Sequence, residues 1–452
     1  MRRLVAPSFW PGKRQPETGC ILLCAYNDHT ANPSLLVSDV LEPRVGDFSR
    51  QEPGALSFAS QYLRRALITV RERSLAGFLT VHTHPFASNT VEFSLYDDAN
   101  DPELMANLYD LQPGGKFGSI VLGRNAAAAR LWDADGKQSS LEEIVIVGEQ
   151  IQSLPLNGVA NAGAPTPNAI FDRALPLTNW GALARLSRMR IGVIGDSGTG
   201  SLMIELLMRA GTSEVVIFEF DLADGTNLNR VLHLRRSDAE NKRPKVDRTA
   251  EVIQDSGLPT RATIVPGGDI RDKSVADELR GCDVLIGCVD RDWPRLIMCE
   301  VAYQYLVPFI DLGTEIGLND AEVQSLDTRV SYIAPGRPCL VCARVVTSER
   351  VALEGQTPEE LDRILSMGYS RDFRLRSPAV MELNMRAVAQ AGLLLRHLLQ
   401  PFLATPLPHS IRESLTNFSV RGVMHSAKAG CLLCGGDGRL GVGPGYRLTT
   451  RS

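Results

Sequence analysis

Apolar runs follow two rhythms along the chain. Up to about residue 150, the short runs GCILLCAY, SLLVSDVL, GFLTVHTH, GSIVLG and AARLWDADG are separated by turns and read as strands. LSFASQYLRRALITVRERS reads instead as a helix. Farther along, strands and helices alternate: RIGVIG, LMIELLMRAG, EVVIFEF, DRTAEVIQDSG, ATIVPG, DVLIGCVD, RLIMCEVAYQYL and PFIDLG. That alternation predicts a mostly parallel α/β sheet with helices on both faces. Between the two regions lies SLPLNGVANAGAPTPN, Ser153–Asn168, uncharged and rich in Pro, Gly, Ala and Asn, which reads as a linker. The expected division is a first domain over residues 1–150, a linker over 151–168, a second domain over 169–440 and a tail over 441–452. No fixed-period repeat is present.

Composition narrows the classes. A chain of 452 residues is too long for one typical core. A net charge of -4 carries no basic surplus, so nucleic acid is not an expected partner. AGLLLRHLLQPFL is interrupted by Arg396, His397 and Pro401, and no run of about 18 apolar residues suggests a membrane span. The start, MRRLVAPSFWPGKRQ, lacks the apolar stretch of a secretion signal. Nine cysteines is an odd number, and four of them form two Cys-x-x-Cys pairs. Together these favour metal binding in a reducing cytoplasm over a disulfide framework.

GVIGDSGTGSLMIELLMRAG places Gly195, Gly198 and Gly200 between a strand and a helix. Glycines let backbone N–H groups approach phosphate oxygens, and the helix start favours an anion. The spacing is G-x-x-G-x-G rather than the dinucleotide fingerprint. Glu219 and Asp221 end the next strand, where an acid can hold a ribose hydroxyl. Asn227 and Arg230 in GTNLNR, Lys245 in NKRPKVD and Asp290 in LIGCVDRD then add cations and carboxylates at strand ends, suiting a nucleoside triphosphate with Mg2+.

The ordered run of glycine loop, FEFD, TNLNR, RPK and CVD resembles the ubiquitin-activating-enzyme-like (ThiF/MoeB) adenylyltransferases over about residues 170–435. The resemblance implies a Rossmann-like fold that binds ATP and adenylates the C-terminal Gly-Gly of a ubiquitin-like protein or small peptide. It assigns Glu219 to the ribose, Asn227, Arg230 and Lys245 to the phosphates, and Asp290 to magnesium. Arg173 in FDRAL corresponds to an arginine that reaches the phosphates, often across a homodimer interface; the usual glutamine after it is Ala174, and the family's Gly-Gly is Ser197-Gly198. The implied reaction is attack of a peptide carboxylate on the α-phosphate with release of pyrophosphate.

Cys339 and Cys342 in GRPCLVC and Cys431 and Cys434 in AGCLLC form two knuckles that complete a tetrahedral structural zinc site. The adenylyltransferase resemblance has the same pairing. Cys282, Cys288 and Cys299 lie in apolar segments and read as buried hydrophobes. Residues 343–430 contain no cysteine, where many relatives carry one for a thioester or persulfide. Activation then stops at the adenylate, with transfer by a partner such as a conjugating enzyme, or Ser348, Ser366, Ser370 or Ser377 supplies an oxyester.

In VHTHPFASNTVEFSLYDD, His82 and His84 alternate onto one face of a strand end and can chelate one metal. Asp97, at a helix start with Ser94, completes a His-His-Asp set with one open position, the pattern of a catalytic zinc; Asp98 is an alternative ligand. Glu17 in PETGCILL begins an apolar strand. Glu, then His-x-His-Pro, then Ser-x-x-Asp resembles the JAMM/MPN (JAB) metalloproteases, an α+β domain in which the Glu polarises water, the His pair and Asp bind zinc and the Ser aids the oxyanion. Nine residues separate His84 from Ser94, where the family has seven.

The joint expectation is a bifunctional enzyme using ATP, Mg2+ and Zn2+. One half would adenylate a ubiquitin-like protein with a C-terminal glycine, and the other would hydrolyse a bond after that glycine. The alternatives are activation of a sulfur-carrier protein for cofactor synthesis and an inactive JAB-like domain that only binds the modifier.

Overall fold

The computed structural model describes residues 16–159, 169–320, 322–367, 378–404, 406–435 and 438–451. In the first unit the elements run β1 (Gly19–Asn27), β2 (Ser34–Leu41), the hairpin β3 (Phe48–Glu52) and β4 (Ala55–Phe58), α1 (Ser60–Glu72), β5 (Gly77–Thr83) and α2 (Leu95–Leu111). They continue through β6 (Lys116–Leu122), β7 (Ala127–Trp132), β8 (Gln138–Ser140), β9 (Glu143–Val147) and β10 (Ile151–Pro155). The main sheet has the order β2-β1-β5-β6-β7-β8. Only β5 and β6 pair in parallel, and α2 is the crossover that such pairing needs. Every residue of β5 is buried, its apolar Phe78, Leu79 and Val81 together with Thr80, His82 and Thr83.

The second unit comprises α3 (Trp180–Leu186), β11 (Arg190–Ile194), α4 (Gly198–Ala210), β12 (Glu214–Phe218), α5 (Arg236–Glu240), α6 (Lys245–Asp255), β13 (Arg261–Ile264), α7 (Lys273–Asp277), β14 (Val284–Gly287) and α8 (Asp292–Gln304). After these come β15 (Phe309–Asn319), β16 (Glu322–Ile333), α9 (Ser348–Glu354), α10 (Pro358–Ser366), α11 (Met381–Leu399), β17 (Ser410–Ser414) and β18 (Ser419–Val423). Its eight-stranded sheet has the order β13-β12-β11-β14-β15-β16-β17-β18. The first five strands in that order pair in parallel, and β15 to β18 form an antiparallel extension. The parallel half puts the C-terminal ends of β11, β12 and β14 on one edge, where ligands of such sheets sit.

Three expectations need correction. The helix begins at Ser60, because Leu56–Phe58 pair with Phe48–Gln51 in the β3/β4 hairpin. The span 151–168 is not a linker from its start: Ile151–Pro155 pair with Glu143–Val147, and Asn157 and Val159 bridge to Ala128 and Thr90. The remainder, 160–168, lies outside the described residues. The tail is not free either, since Gly441 and Gly443 pack on β2 and β1. The units also share a core. One apolar cluster contains Ile21, Leu23, Tyr62 and Phe117 from the first unit, and Ile194, Phe218, Ile297 and Phe309 from the second.

Candidate functional sites

The first site forms at the end of β5. Antiparallel pairing sets Gly19 opposite His82, and continuing that register by two residues brings Glu17 opposite His84. Glu17 is held there by its own N–H to the Glu52 carbonyl, 3.2 Å, and by Gln51 Nε2 donating to the Glu17 carbonyl, 3.0 Å. The metal-capable atoms of Glu17, His82 and His84 all lie within 4.8 Å of one another, and all three residues are buried. Asp97 reaches them because Ser94 caps α2: the Ser94 N–H and Oγ each donate to Asp97 Oδ2 at 2.7 Å, and Ser94 Oγ accepts from the Asp97 N–H at 3.2 Å. The longer loop does not prevent this. Its residues bond back onto neighbouring turns, with Val91 N–H on the Gly158 carbonyl and Arg124 and Asn125 N–H on the Ala87 and Ser88 carbonyls. Asp98 is committed to Arg130, whose Nη1 donates to it at 2.6 Å, so Asp97 is the acid that meets the histidines.

The spacing among these groups tests their fit to a metal. Ligands about 2.1 Å from a tetrahedral ion stand about 3.4 Å apart. His82 Nε2 to His84 Nε2 is 3.3 Å, His82 Nε2 to Asp97 Oδ1 is 3.3 Å, and His84 Nε2 to Asp97 Oδ2 is 3.5 Å. Burial opposes ionisation of Asp97, but hydrogen bonds from His82, His84 and Ser94 outweigh it and hold the carboxyl well below the usual range. Glu17 behaves oppositely, with burial pushing its carboxyl up against the pull of His84 and His82. Its Oε1 lies 3.7 Å from His84 Nε2 and, although buried, has no hydrogen-bond partner among the described residues. A buried orphan oxygen beside two imidazole nitrogens, with the Asp97 carboxylate against both, fits a metal site with a free acceptor. Two neighbours were not found from sequence. Phe86 stacks on His84 with ring centroids 5.1 Å apart. Arg130 bonds Asp98 and Asp101 and lies 3.9 Å over the Phe93 ring, fixing α2 and the loop before it. An arginine within the apolar strand AAARLW was the signal for it.

The second cluster joins the two Cys-x-x-Cys pairs. Cys339 Sγ to Cys431 Sγ is 3.7 Å and Cys342 Sγ to Cys434 Sγ is 3.6 Å. Sulfurs about 2.3 Å from a tetrahedral zinc stand about 3.8 Å apart, so the four thiols fit a closed structural zinc. Hydrogen bonding within the cluster, from Cys339 first, holds the Cys434 thiol below its usual range.

The third site lies on the C-terminal edge of the parallel strands. Gly195 takes φ +94°, and a Cβ on Gly200 would lie 1.8 Å from the Gly195 carbonyl oxygen, so the first turn of α4 folds onto the loop as only glycine allows. The Ser197 side chain does not cap α4, and among the described residues its first N–H groups are available to an anion. A Cβ on Gly198 would meet Asn384 Nδ2 at 2.4 Å and Arg230 Cδ at 3.4 Å, which places Arg230 over the loop and adds Asn384, unforeseen from sequence. Glu219 accepts N–H bonds from Asp196, Phe220 and Asp221 at 2.9, 2.9 and 2.8 Å. Buried Lys245 lies 2.9 Å from Asp221 Oδ2 and 3.6 Å from Glu219 Oε2. Asn227 shapes the turn, accepting from the Asp224 N–H at 3.1 Å. Asp290 is 90% exposed, two residues past Cys288, whose carbonyl crowds Gly195.

Arg173 does not join this site within the chain. It is exposed, and Phe171 beside it packs on Gly211, at the far end of α4. The 13 residues of α4 put that end roughly 20 Å from the glycine loop.

Asp196 within the loop was also missed, although an aspartate among the glycines is visible in GDSGTG. It is fully buried; Oδ2 accepts from Thr249 Oγ1 at 2.6 Å and Oδ1 has no partner among the described residues. Burial raises its carboxyl to about 6. A folded-state value above the unfolded one means that protonation favours the folded state, so stability falls as pH rises from about 4 to 6. Asp196→Asn is expected to stabilise the fold at pH 7.5 by on the order of 3 kcal/mol at most, seen as a higher melting temperature, and to flatten that pH dependence. A melting temperature lowered equally at pH 4 and pH 7.5 would contradict this.

Comparison with known proteins gives this arrangement a family. The ThiF family model matches residues 171–422, more than half of the chain. The chain belongs to the ThiF family. Its mixed α/β fold with a parallel sheet accords with the Rossmann-like fold expected of ThiF proteins. This ThiF-family chain is 21% identical over 197 residues to Ubiquitin-like modifier-activating enzyme 5 of Oryza sativa, covering 41% of this chain and 47% of that protein. It is 23% identical to Sulfur carrier protein ThiS adenylyltransferase of Bacillus subtilis, covering 35% and 44%. To the SAMP-activating enzyme E1 of Haloferax volcanii it is 25% identical, covering 35% and 54%. The chain spans about half the length of the curated relatives it matches. The ThiF match begins after the His-His-Asp cluster and ends before Cys431. Among the described residues, no helix is long and apolar enough to cross a membrane.

Proposed function

We propose that the chain is an ATP-dependent adenylyltransferase for the C-terminus of a ubiquitin-like or sulfur-carrier-like protein, joined to a zinc-dependent peptidase that processes the same modifier. The adenylating half is supported by ThiF membership, by relatives named for activating or adenylylating small protein carriers, and above all by one observation. The glycine loop, the uncapped start of α4 and buried Lys245 meet beside Glu219 and Asp221.

In this reading Glu219 holds the ribose and the Gly195–Gly200 amides, Asn227, Arg230 and Lys245 hold the phosphates. Asp221 is the resting partner of Lys245, and exposed Asp290 holds Mg2+. The modifier's carboxylate oxygen bonds to the α-phosphorus as the α–β phosphoanhydride breaks, and pyrophosphate leaves. No protein nucleophile is needed, because positioning and charge neutralisation carry the step. Arg173 would then contribute across a homodimer interface, since its own α4 separates it from its own loop. With no cysteine in residues 343–430, the adenylate passes to a partner such as a conjugating enzyme. Ser348, exposed at the start of α9, and Ser366, bonded to the Arg363 carbonyl, are the weaker oxyester route. Ser370 and Ser377 lie outside the described residues.

The peptidase half is supported by the 3.3–3.5 Å spacing of His82, His84 and Asp97 and by the orphan oxygen of Glu17. His82, His84 and Asp97 would hold zinc, which supplies Lewis acidity at the scissile carbonyl. Glu17 takes the proton of the attacking water on its free Oε1 and delivers it to the leaving amine. The Ser94 hydroxyl, given to Asp97 Oδ2 in the resting site, turns to the substrate and donates to the developing oxyanion. The four-cysteine site is structural. Metal analysis tests both assignments: wild type is expected to bind two zinc ions per chain, Cys431→Ser one and His82→Ala one. A single zinc in wild type that survives in His82→Ala would remove the peptidase reading and leave the non-catalytic domain. Pyrophosphate exchange stimulated by a ubiquitin-like protein but not by a thiamine-type sulfur carrier separates the two modifier classes.

A further inference from the structure

We propose that the C-terminal segment Arg439–Arg451 is a strap that locks the metal-bearing unit and the loop behind Glu219 into one arrangement, with Glu300 on α8 as its positioning residue. Glu300 is 2% exposed, and its carboxylate takes three hydrogen bonds from this segment. Arg439 Nη1 donates at 2.9 Å, and the Thr449 N–H and Oγ1 each donate at 2.7 Å. Both ends of the excursion therefore close on one buried anion, whose charge is met by Arg439.

Between those ends the strap leaves α8 for the first unit. The Gly441 N–H donates to the Tyr303 carbonyl at 2.8 Å, and Ser38 Oγ donates to the Leu440 carbonyl at 3.2 Å. Gly441 has φ +62°, and a Cβ there would lie 3.0 Å from the Ser38 Cα and the Val37 carbonyl oxygen of β2. Gly443 has φ +54°, and its Cβ would sit 3.3 Å from Ala25 and 3.4 Å from Leu36. At both positions a side chain would strain a positive-φ backbone and push by a few tenths of an ångström against β1 or β2.

Past Thr449 the strap reaches the nucleotide edge. Trp293 Nε1 donates to the Thr449 carbonyl at 2.6 Å, and the Arg451 N–H donates to the Arg271 carbonyl at 2.7 Å. The Arg451 guanidinium pairs with Asp272 at 3.0 Å and Asp269 at 3.2 Å. That loop backs Glu219 closely, for a Cβ on Gly268 would lie 2.2 Å from the Glu219 carbonyl oxygen. One segment thus touches β1, β2, α8 and the support of Glu219. The direct contacts of Asn27 and His29 with Arg280 and Glu278 do not involve it.

The test uses the full-length, zinc-loaded chain and amide hydrogen–deuterium exchange. In Glu300→Gln and Gly441→Val, amides of Val37–Val40 and Asp269–Asp272 are expected to exchange at least about tenfold faster, while Ile191–Ile194 stay as in wild type. Arg451→Ala, a surface change, is expected to speed Asp269–Asp272 alone and to raise KM for ATP at least about threefold with kcat unchanged. The KM readout rests on the adenylation reading; the exchange readout does not, and it judges the strap even if no ATP activity is found. Wild-type exchange rates at Asp269–Asp272 in Arg451→Ala, or at both segments in folded Glu300→Gln, overturn the proposal.

Discussion

Glu17→Gln is expected to lower chelator-sensitive peptidase turnover by about 10²- to 10⁴-fold, the range for loss of a general base, while zinc content stays at the wild-type value. The substitution keeps the shape and the backbone bonds that hold residue 17 against Glu52 and Gln51. It removes only the carboxylate whose Oε1 faces the histidines without a partner. Burial already raises the Glu17 carboxyl, making it a stronger base than a surface glutamate. His82→Ala removes zinc and turnover together, which distinguishes a ligand from a base. Turnover of a modifier-peptide fusion at the wild-type rate in Glu17→Gln would end the metalloprotease assignment.

Lys245→Met carries the largest expected effect on the other half: modifier-dependent ATP–pyrophosphate exchange should fall by about 10²- to 10³-fold, the usual loss for one group aimed at developing charge. The ammonium is 3% exposed and reaches Asp221 and Glu219 together, so it is already desolvated and oriented. The methionine stem fills the same space, leaving the missing charge as the main change. Arg230→Ala, whose stem lies over Gly198, and Asp290→Ala should each reduce exchange as well. Exchange that persists at the wild-type rate in all three variants rules out this cleft as the ATP site.

Much of this was legible locally. Strands such as β1 and β5 are buried along nearly their whole length, and their mainly apolar runs, GCILLCAY and GFLTV, stand out in sequence. The meeting of His82, His84 and Asp97 was legible because His-x-His and Ser-x-x-Asp fix geometry within a few residues. The helix was started too early because Leu56–Phe58 join a hairpin whose partner, Phe48–Gln51, shows no apolar alternation. Helix α2 was visible only at its cap, since Asp97, Met105, Leu108 and Tyr109 are its only buried residues. Arg130, Asn384 and Glu300 escaped notice for another reason. Each acts on residues far away in the chain, and no spacing rule reports such meetings.

The apolar cluster that runs from Ile21 and Phe117 into Ile297 and Phe309 has a corollary for any attempt to part the two units. Units joined by a floppy connector can be cut apart with little harm to either. Here each completes the interior of the other, so either one produced alone would present to water an oily face that the whole chain hides. Expressed separately, both units are expected to aggregate, and expressed together they are expected to find each other again.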